Sequence, residues 1–147
     1  MVEPVVAPTP EPEPAPEPEP TPTDPEPTPT QPEPSEPSTQ EIPWGILRVG
    51  GFTTYTGTNV AFILDTGIEL DHPDLNVFVS LGKKIVPDAV STTLSDLHSH
   101  GTHVAGIVGA IDNNFGVVGV AAGVPLVPVK IMGDDGRGSV SYAIAGV

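Results

Sequence analysis

Short apolar runs separated by turns rich in Gly or Asp begin after residue 40. The run from Val60 to Leu64 is continuous and too short for a helix, so it predicts a strand covered on both faces, with Asp65 at its carboxyl end. Residues Val124 to Met132 predict a second buried strand, whose prolines lie in its first half. Both runs are typical of buried strands in a parallel sheet.

Between the two predicted strands, apolar residues recur with the spacing of a helix. Four apolar residues share the i, i+3, i+4, i+7 spacing of one helical face: Val104, Ile107, Val108 and Ile111. Residues 133–138 then predict a turn-rich loop, and residues 140–147 the opening of a further helix. Strand, helix, strand and helix in this order are typical of an α/β fold with a parallel sheet.

Residues 1–39 have a different pattern, dominated by Glu-Pro, Thr-Pro and Ala-Pro pairs. Fifteen of the 20 prolines lie in the first 40 residues, together with nine acidic residues and no Lys or Arg. Proline blocks helix and sheet, and the segment has almost nothing apolar to bury. We expect a disordered acidic Pro-rich linker over residues 1–39; a ligand for a proline-binding domain is the functional alternative.

Composition excludes several classes of function. The formal net charge of -14 disfavours nucleic acid as a partner. Without cysteine there is neither a disulfide framework nor a four-Cys zinc site. No apolar run approaches the roughly 18 to 20 residues of a membrane helix, and no signal peptide is visible, so we expect no membrane partner.

Two residues combine chemical function with a suitable position. Asp65 ends a predicted parallel strand and His100 opens the predicted helix, the places where reactive groups converge in α/β folds. A carboxylate there can hold an imidazole in one tautomer and leave it to act as a general base. Such a pair needs a third group, a nucleophile.

The sequence around this pair resembles the subtilisin-like serine proteases, over about residues 40–147. The matching stretches are Phe62-Ile63-Leu64-Asp65-Thr66-Gly67-Ile68, Asp71-His72-Pro73-Asp74-Leu75 and Ser99-His100-Gly101-Thr102-His103-Val104-Ala105-Gly106. The resemblance implies a parallel-sheet, subtilisin-like α/β fold for residues 40–147. It also implies that Asp65 is the triad aspartate and His100 the triad base, in the chain order Asp, His, Ser.

The serine of that triad is not recognisable in the chain. In the family it lies in a downstream Gly-Thr-Ser-x-Ala segment, and the oxyanion-hole asparagine also lies beyond the match to Val147. The serines of the globular part lack this context: Ser80, Ser91, Ser95, Ser99, Ser139 and Ser141. We therefore expect a fold incomplete at its C-terminus, a serine endopeptidase fragment that is inactive without the missing segment. The alternative is a non-catalytic, truncated subtilase module that binds calcium and extended peptides.

Two other classes of site share part of this pattern. Asp65-Thr66-Gly67 after an apolar run also resembles the aspartic-protease signature, but that class needs a second copy and a mostly β pattern. The histidines His98, His100 and His103 raise the possibility of a zinc site with Asp65. For His103 we expect a buried structural role, and for His98 a solvated loop position.

The family resemblance further implies a calcium site. Side-chain oxygens would come from Gln40, Asp74 and Asn113, and main-chain carbonyls from Ile111, Phe115 and Val117. Such oxygens suit a hard cation like Ca²⁺, whereas an ordinary Asn-Gly turn is the structural alternative.

The resemblance also implies where a substrate binds. Gly136, Arg137 and Gly138 match an edge segment that pairs with an extended protein or peptide substrate. Met132, Val140 and Ala143 fall where the family lines a pocket for a substrate side chain. An extracellular location is implied by the family resemblance and is also suggested by the acidic Pro-rich spacer.

Overall fold

The computed structural model describes residues 40–147 of the chain. Its helices are α1 (Trp44–Arg48), α2 (His100–Gly109) and α3 (Val140–Gly146), with a 3₁₀ turn at Val79–Leu81. Its strands are β1 (Thr53–Thr54), β2 (Ala61–Asp65), β3 (Lys83–Lys84), β4 (Ala121–Ala122) and β5 (Leu126–Lys130). The predicted linker, residues 1–39, lies outside the described residues. None of the helices in the described part is long and apolar enough to cross a membrane.

The strands form a parallel three-stranded sheet in the order β2-β5-β3 and a parallel pair, β1-β4. The central strand β5 is buried at all five positions, as its apolar run predicts. Its register with β2 pairs Ala61 with Leu126 and Asp65 with Lys130, so both strands end at the same edge of the sheet. The predicted α/β fold with parallel strands is confirmed.

Helix α2 packs on this sheet through its small residues. Gly101, Ala105 and Gly109 are its buried positions, whereas Ile107 is half exposed. A Cβ atom on Gly101 would lie only 2.1 Å from the Gly67 carbonyl oxygen, so the helix approaches a neighbouring loop more closely than any larger residue permits.

The helical face predicted from large apolar residues is therefore confirmed for two of its four residues and wrong for the other two. Val104 and Val108 are half-buried beside the core, and Ile111 follows the end of the helix. The core instead combines the small face of α2 with apolar residues of the sheet and loops: Ile63, Ile68, Leu75, Ala105, Ala110, Val124 and Leu126. Gly101 and Ala105 pack closely against neighbouring segments, while Gly106 faces open space.

Candidate active site

Asp65 is the last residue of β2, and its side chain is almost fully buried. The amide of Thr66 donates to Asp65 Oδ1 at 2.7 Å, which fixes the carboxylate relative to the turn that follows. That turn requires glycine at position 67, where φ is 107° and a Cβ atom would lie 2.4 Å from the Leu94 carbonyl oxygen. The strand end therefore holds Asp65 in a defined position.

His100, the first residue of α2, reaches across to this carboxylate. His100 Nδ1 lies 2.7 Å from Asp65 Oδ1, which is the contact that the sequence predicts between the two side chains. The hydrogen bond with Asp65, followed by the charge of that carboxylate, raises the pKa of His100 above its usual value. The side chain of His100 is 56% exposed, so the imidazole is accessible to a reacting group.

Asp96 joins the loops that carry these two residues, and the sequence analysis did not identify it. One carboxylate oxygen accepts the Thr66 hydroxyl and the amides of His98 and Ser99, at 2.8 to 2.9 Å. The other accepts the amide and hydroxyl of Thr102, at 2.8 and 2.7 Å. Asp96 thus caps the start of α2, where the N-cap residue Ser99 makes no side-chain cap bond. An acidic residue just before a predicted helix was the available sequence signal.

We expect replacement of Asp96 by asparagine to remove a pH-dependent part of the stability. Burial alone would raise the pKa of Asp96, but the hydrogen bonds from Thr102, His98 and Thr66 outweigh it and lower the pKa to about 2. A lowered carboxyl pKa stabilises the fold above about pH 4 and loses that contribution as the pH falls towards 2. Allowing for solvent screening, the loss at neutral pH is about 1–2 kcal/mol.

Denaturant unfolding of parent and Asp96→Asn proteins between pH 2 and 7 measures this difference. Asp71→Asn is the matched control, because the Asp71 carboxylate is exposed and lies outside the loop before α2. A difference between parent and Asp96→Asn proteins that stays constant over this pH range would contradict the assignment.

The other histidines do not complete a metal site with this pair. Within residues 40–147, no three His, Cys, Asp or Glu side chains come close enough to hold a metal ion, which argues against the zinc alternative. His98 is exposed, as expected for a loop residue, and its ring centroid lies 6.4 Å from that of His100. The buried role predicted for His103 is wrong, because its side chain is exposed on the outer face of α2.

Gln40 lies against the loop that follows α2, as the calcium hypothesis requires. Its side-chain nitrogen Nε2 donates to the carbonyl oxygens of Ile111 and Val117, at 2.5 and 2.9 Å. Its side-chain oxygen Oε1 accepts the amide of Asn113 at 3.3 Å. Two carbonyl oxygens from one loop therefore converge on a single amide group.

Asp74 contacts the same loop through its side chain. The carboxylate is 3% exposed and accepts the side-chain amide of Asn113 at 3.1 Å and the main-chain amide of Val117 at 3.3 Å. Gly116 has a φ of 56°, and a Cβ atom there would lie 2.8 Å from Asp74 Oδ2. The structure thus gathers Gln40, Asp74, Ile111, Asn113 and Val117. Phe115 belongs to the same loop, and its amide donates to the side-chain oxygen of Asn113 at 2.9 Å.

The donor types in this cluster fit a hard cation. The set combines a carboxylate, two side-chain amides and carbonyl oxygens, which are ligands that Ca²⁺ accepts. The side-chain nitrogen of Gln40 faces the two carbonyl oxygens. A half-turn of the side-chain amide, a rotation by about 180°, would place the side-chain oxygen there instead. After the half-turn, the Gln40 side-chain oxygen lies beside the carbonyl oxygens of Ile111 and Val117, while the Asn113 side-chain nitrogen still faces Asp74 Oδ1.

The predicted substrate segment lies beside the Asp65 and His100 pair. Met132 and Gly138 form an antiparallel bridge, and the Gly133 amide donates to the Arg137 carbonyl oxygen at 2.7 Å. A Cβ atom on Gly136 would lie 2.6 Å from His98 Nε2, so this loop runs close to the start of α2. Three of the predicted substrate residues are exposed: Arg137, Gly138 and Val140. Ala143 is partly buried in α3.

Comparison with known proteins gives consistent matches. The family model described as the Subtilase family matches residues 55–147. Subtilisin BL and Subtilisin Savinase, both from Lederbergia lenta, are each 44% identical over 113 residues, which cover 74% of this chain and 40% of each relative. Subtilisin E from Bacillus subtilis is 40% identical over 113 residues, covering 74% of this chain and 29% of that protein. The chain thus spans two fifths or less of the length of these relatives.

Proposed function

Because the chain belongs to the subtilase family, we propose that it forms the N-terminal part of the catalytic domain of a serine endopeptidase. The observation that carries the proposal is the 2.7 Å contact between Asp65 Oδ1 and His100 Nδ1 at the end of a parallel strand. A carboxylate and an imidazole in this arrangement are the acid and base members of a hydrolytic triad.

In this proposal His100 is the general base. Asp65 accepts a hydrogen bond from the Nδ1–H group of His100 and so selects the tautomer in which the other ring nitrogen takes a proton from a serine hydroxyl. The same carboxylate stabilises the imidazolium that forms as the serine attacks a peptide carbonyl. The imidazolium then returns its proton to the leaving amine.

We propose that the serine is supplied by a segment outside the printed chain. No serine after residue 40 has the Gly-Thr-Ser-x-Ala context, and the hydroxyl of Ser99, next to His100, donates to the His98 carbonyl oxygen. The 147 residues alone are then expected to bind and orient groups without forming an acyl-enzyme.

A fluorophosphonate probe, which labels activated serines, tests both parts of this proposal. Labelling is expected in the complete protein that carries this chain, at a serine outside the printed residues, and not in the 147-residue chain alone. A complete protein that is never labelled would instead favour the non-catalytic, truncated module. Labelling of a serine within residues 40–147 would contradict the assignment of the nucleophile.

For the substrate, we propose a protein or peptide bound in extended conformation along residues 136–138. Arg137 and Gly138 are exposed, so another backbone can approach them, and strand addition needs this access. Met132 and Val140 flank the segment and offer apolar surface to one substrate side chain. We also propose an extracellular location, as the family resemblance implies.

We further propose that Gln40, Asp74, Asn113 and the carbonyls of the 111–117 loop hold a structural Ca²⁺ ion. A bound divalent cation supplies positive charge that cross-links the start of the domain to the loop after α2. Gln40 and Glu41 already contact this loop, since the Glu41 amide donates to the Gly116 carbonyl oxygen at 2.9 Å.

Replacing Asp74 by alanine should lower the stability and its dependence on calcium. The variant loses a buried carboxylate that accepts two hydrogen bonds, a loss of about 1–3 kcal/mol before any metal is considered. Thermal melts with Ca²⁺ or with chelator measure the effect. We expect chelator to destabilise the parent and to leave Asp74→Ala unchanged.

Asp71→Ala is the control, because Asp71 is an exposed carboxylate three residues away. It should melt and respond to chelator like the parent. An equal response to chelator in the parent and in Asp74→Ala would contradict the calcium proposal.

A further inference from the structure

Lys130, the last residue of β5, is a fully buried lysine that the proposed mechanism does not use. Its ammonium nitrogen donates to the carbonyl oxygens of Thr66 and Ser95, at 2.5 and 2.9 Å. The same nitrogen lies 2.8 Å from Asp134 Oδ1, in an ion pair without hydrogen-bond alignment. Two of its three N–H groups therefore bind main-chain carbonyls, and the pair with Asp134 balances the charge.

Stability alone does not explain a buried ammonium group at this position. Transferring a charge out of water costs several kcal/mol, and replacing a buried ion pair by apolar residues is often neutral or stabilising. An apolar residue would also suit β5, whose other four positions are apolar and buried. The two carbonyl groups that Lys130 binds therefore indicate what the buried charge does.

Those partners belong to the two loops that carry the active-site pair. Thr66 directly follows Asp65, and Ser95 directly precedes Asp96, which caps the helix that begins at His100. Lys130 is the register partner of Asp65 on the neighbouring strand, so it approaches both loops from within the sheet. A single side chain thus links the loop after Asp65 to the loop that leads into His100.

We propose that Lys130 is a positioning residue that sets the separation of these two loops and thereby the contact between Asp65 and His100. The expected effect on catalysis rests on the proposed function. The structural part of the proposal concerns the contact itself, which is measurable without turnover.

The test compares the parent with Lys130→Met in the complete protein that carries this chain. Methionine keeps much of the length of lysine and removes the charge and all three donors. We expect kcat to fall by about 10²-fold with KM little changed, because a small displacement of the base impairs the chemical step more than binding. An NMR titration of the His100 ring should show a lowered pKa, since its hydrogen bond with Asp65 weakens.

The direction of this pKa shift separates positioning from simple electrostatics. The charges that raise the pKa of His100 are those of Asp65 and Asp96, and the ring of His98 is its aromatic neighbour. Removing the Lys130 cation leaves the Asp134 carboxylate without its partner, and this change would raise the pKa of His100 by charge alone. A weaker contact with Asp65 lowers that pKa instead. A raised or unchanged His100 pKa in the folded variant would overturn the proposal.

Lys84→Met is the matched control. Lys84 is the register partner of Lys130 on β3 and also pairs with an aspartate four residues later, Asp88. Its carbonyl partner is Val86, which is not part of either active-site loop. We expect parental kcat and parental His100 pKa in this variant. The same changes in both variants would indicate a general loss of sheet stability and would also overturn the proposal.

A second variant covers the case in which Lys130→Met does not fold. Lys130→Gln keeps N–H donors but loses the charge and part of the length, and it should shift the His100 pKa in the same downward direction. A parental pKa there would overturn the proposal. If the complete protein hydrolyses no peptide but the pKa falls as expected, the proposed function fails while the positioning role stands.

Discussion

Replacing His100 by alanine in the complete peptidase should lower kcat by about 10⁶-fold, the magnitude established for loss of the base in a subtilisin. The physical reason is that the serine hydroxyl then has no group to take its proton. The ring contributes one hydrogen bond, to Asp65, and is more than half exposed, so its removal should leave the fold intact. Active-site titration and circular dichroism on the same samples measure both effects.

The pH profile of the parent provides an independent check on this assignment. The hydrogen bond with Asp65, and then its charge, raises the pKa of His100, and only the neutral ring accepts a proton. We therefore expect kcat/KM to rise with pH through a pKa above the ordinary value for histidine. His103→Ala removes an exposed histidine from the same helix and should keep this profile. Substantial turnover in His100→Ala, or an acid limb below the ordinary histidine pKa, would contradict the role of the base.

The sequence was sufficient to predict those strands and helix ends that a short stretch of neighbouring residues determines. Continuous apolar runs placed β2 and β5 to within a few residues, and the strand end and helix start placed Asp65 and His100. Because parallel strands end at one edge of a sheet, these two positions were expected to meet, and the 2.7 Å contact agrees.

The buried face of α2 was not predictable from apolar periodicity. The rule assigns the largest apolar residues to the core, but Gly101 and Gly109 face it because neighbouring atoms leave no room for a larger residue. At Gly109 these atoms belong to the side chains of Val124 and Leu126. For Gly101 the limiting atom belongs to Gly67, 34 positions earlier in the chain. Such contacts depend on how distant loops meet, and spacing along one helix does not contain that information.

Contacts between distant segments also explain why the sequence analysis did not identify Asp96 and Lys130. Asp96 acts through amides of the loop before α2, whose conformation includes the positive φ of 74° at Ser99. Lys130 interrupts a buried strand, and its partners are main-chain carbonyls on two other segments. Side-chain types form patterns that can be read along the sequence, whereas every residue type offers the same main-chain amide and carbonyl groups, apart from the missing amide of proline.

Replacing Asp65 by asparagine should lower kcat by about 10⁴-fold, less than the loss of His100. Asparagine has nearly the same size, so the buried site should keep its packing. Its amide nitrogen, however, donates where the carboxylate accepted, and this favours the imidazole tautomer that cannot take the serine proton. Removing the negative charge and the hydrogen bond should also lower the pKa of His100.

Single-turnover kinetics and an NMR titration of His100 measure the two effects, with Asp71→Asn as an exposed carboxylate control. Turnover within tenfold of the parent, or an unchanged His100 pKa, would contradict the role of Asp65. The double variant Asp65→Asn, His100→Ala gives the sharper result. If the carboxylate acts only through the imidazole, the double variant should be no slower than His100→Ala alone, because the partner that Asp65 orients is already absent. A further loss in the double variant would mean that Asp65 acts on the reaction independently of His100.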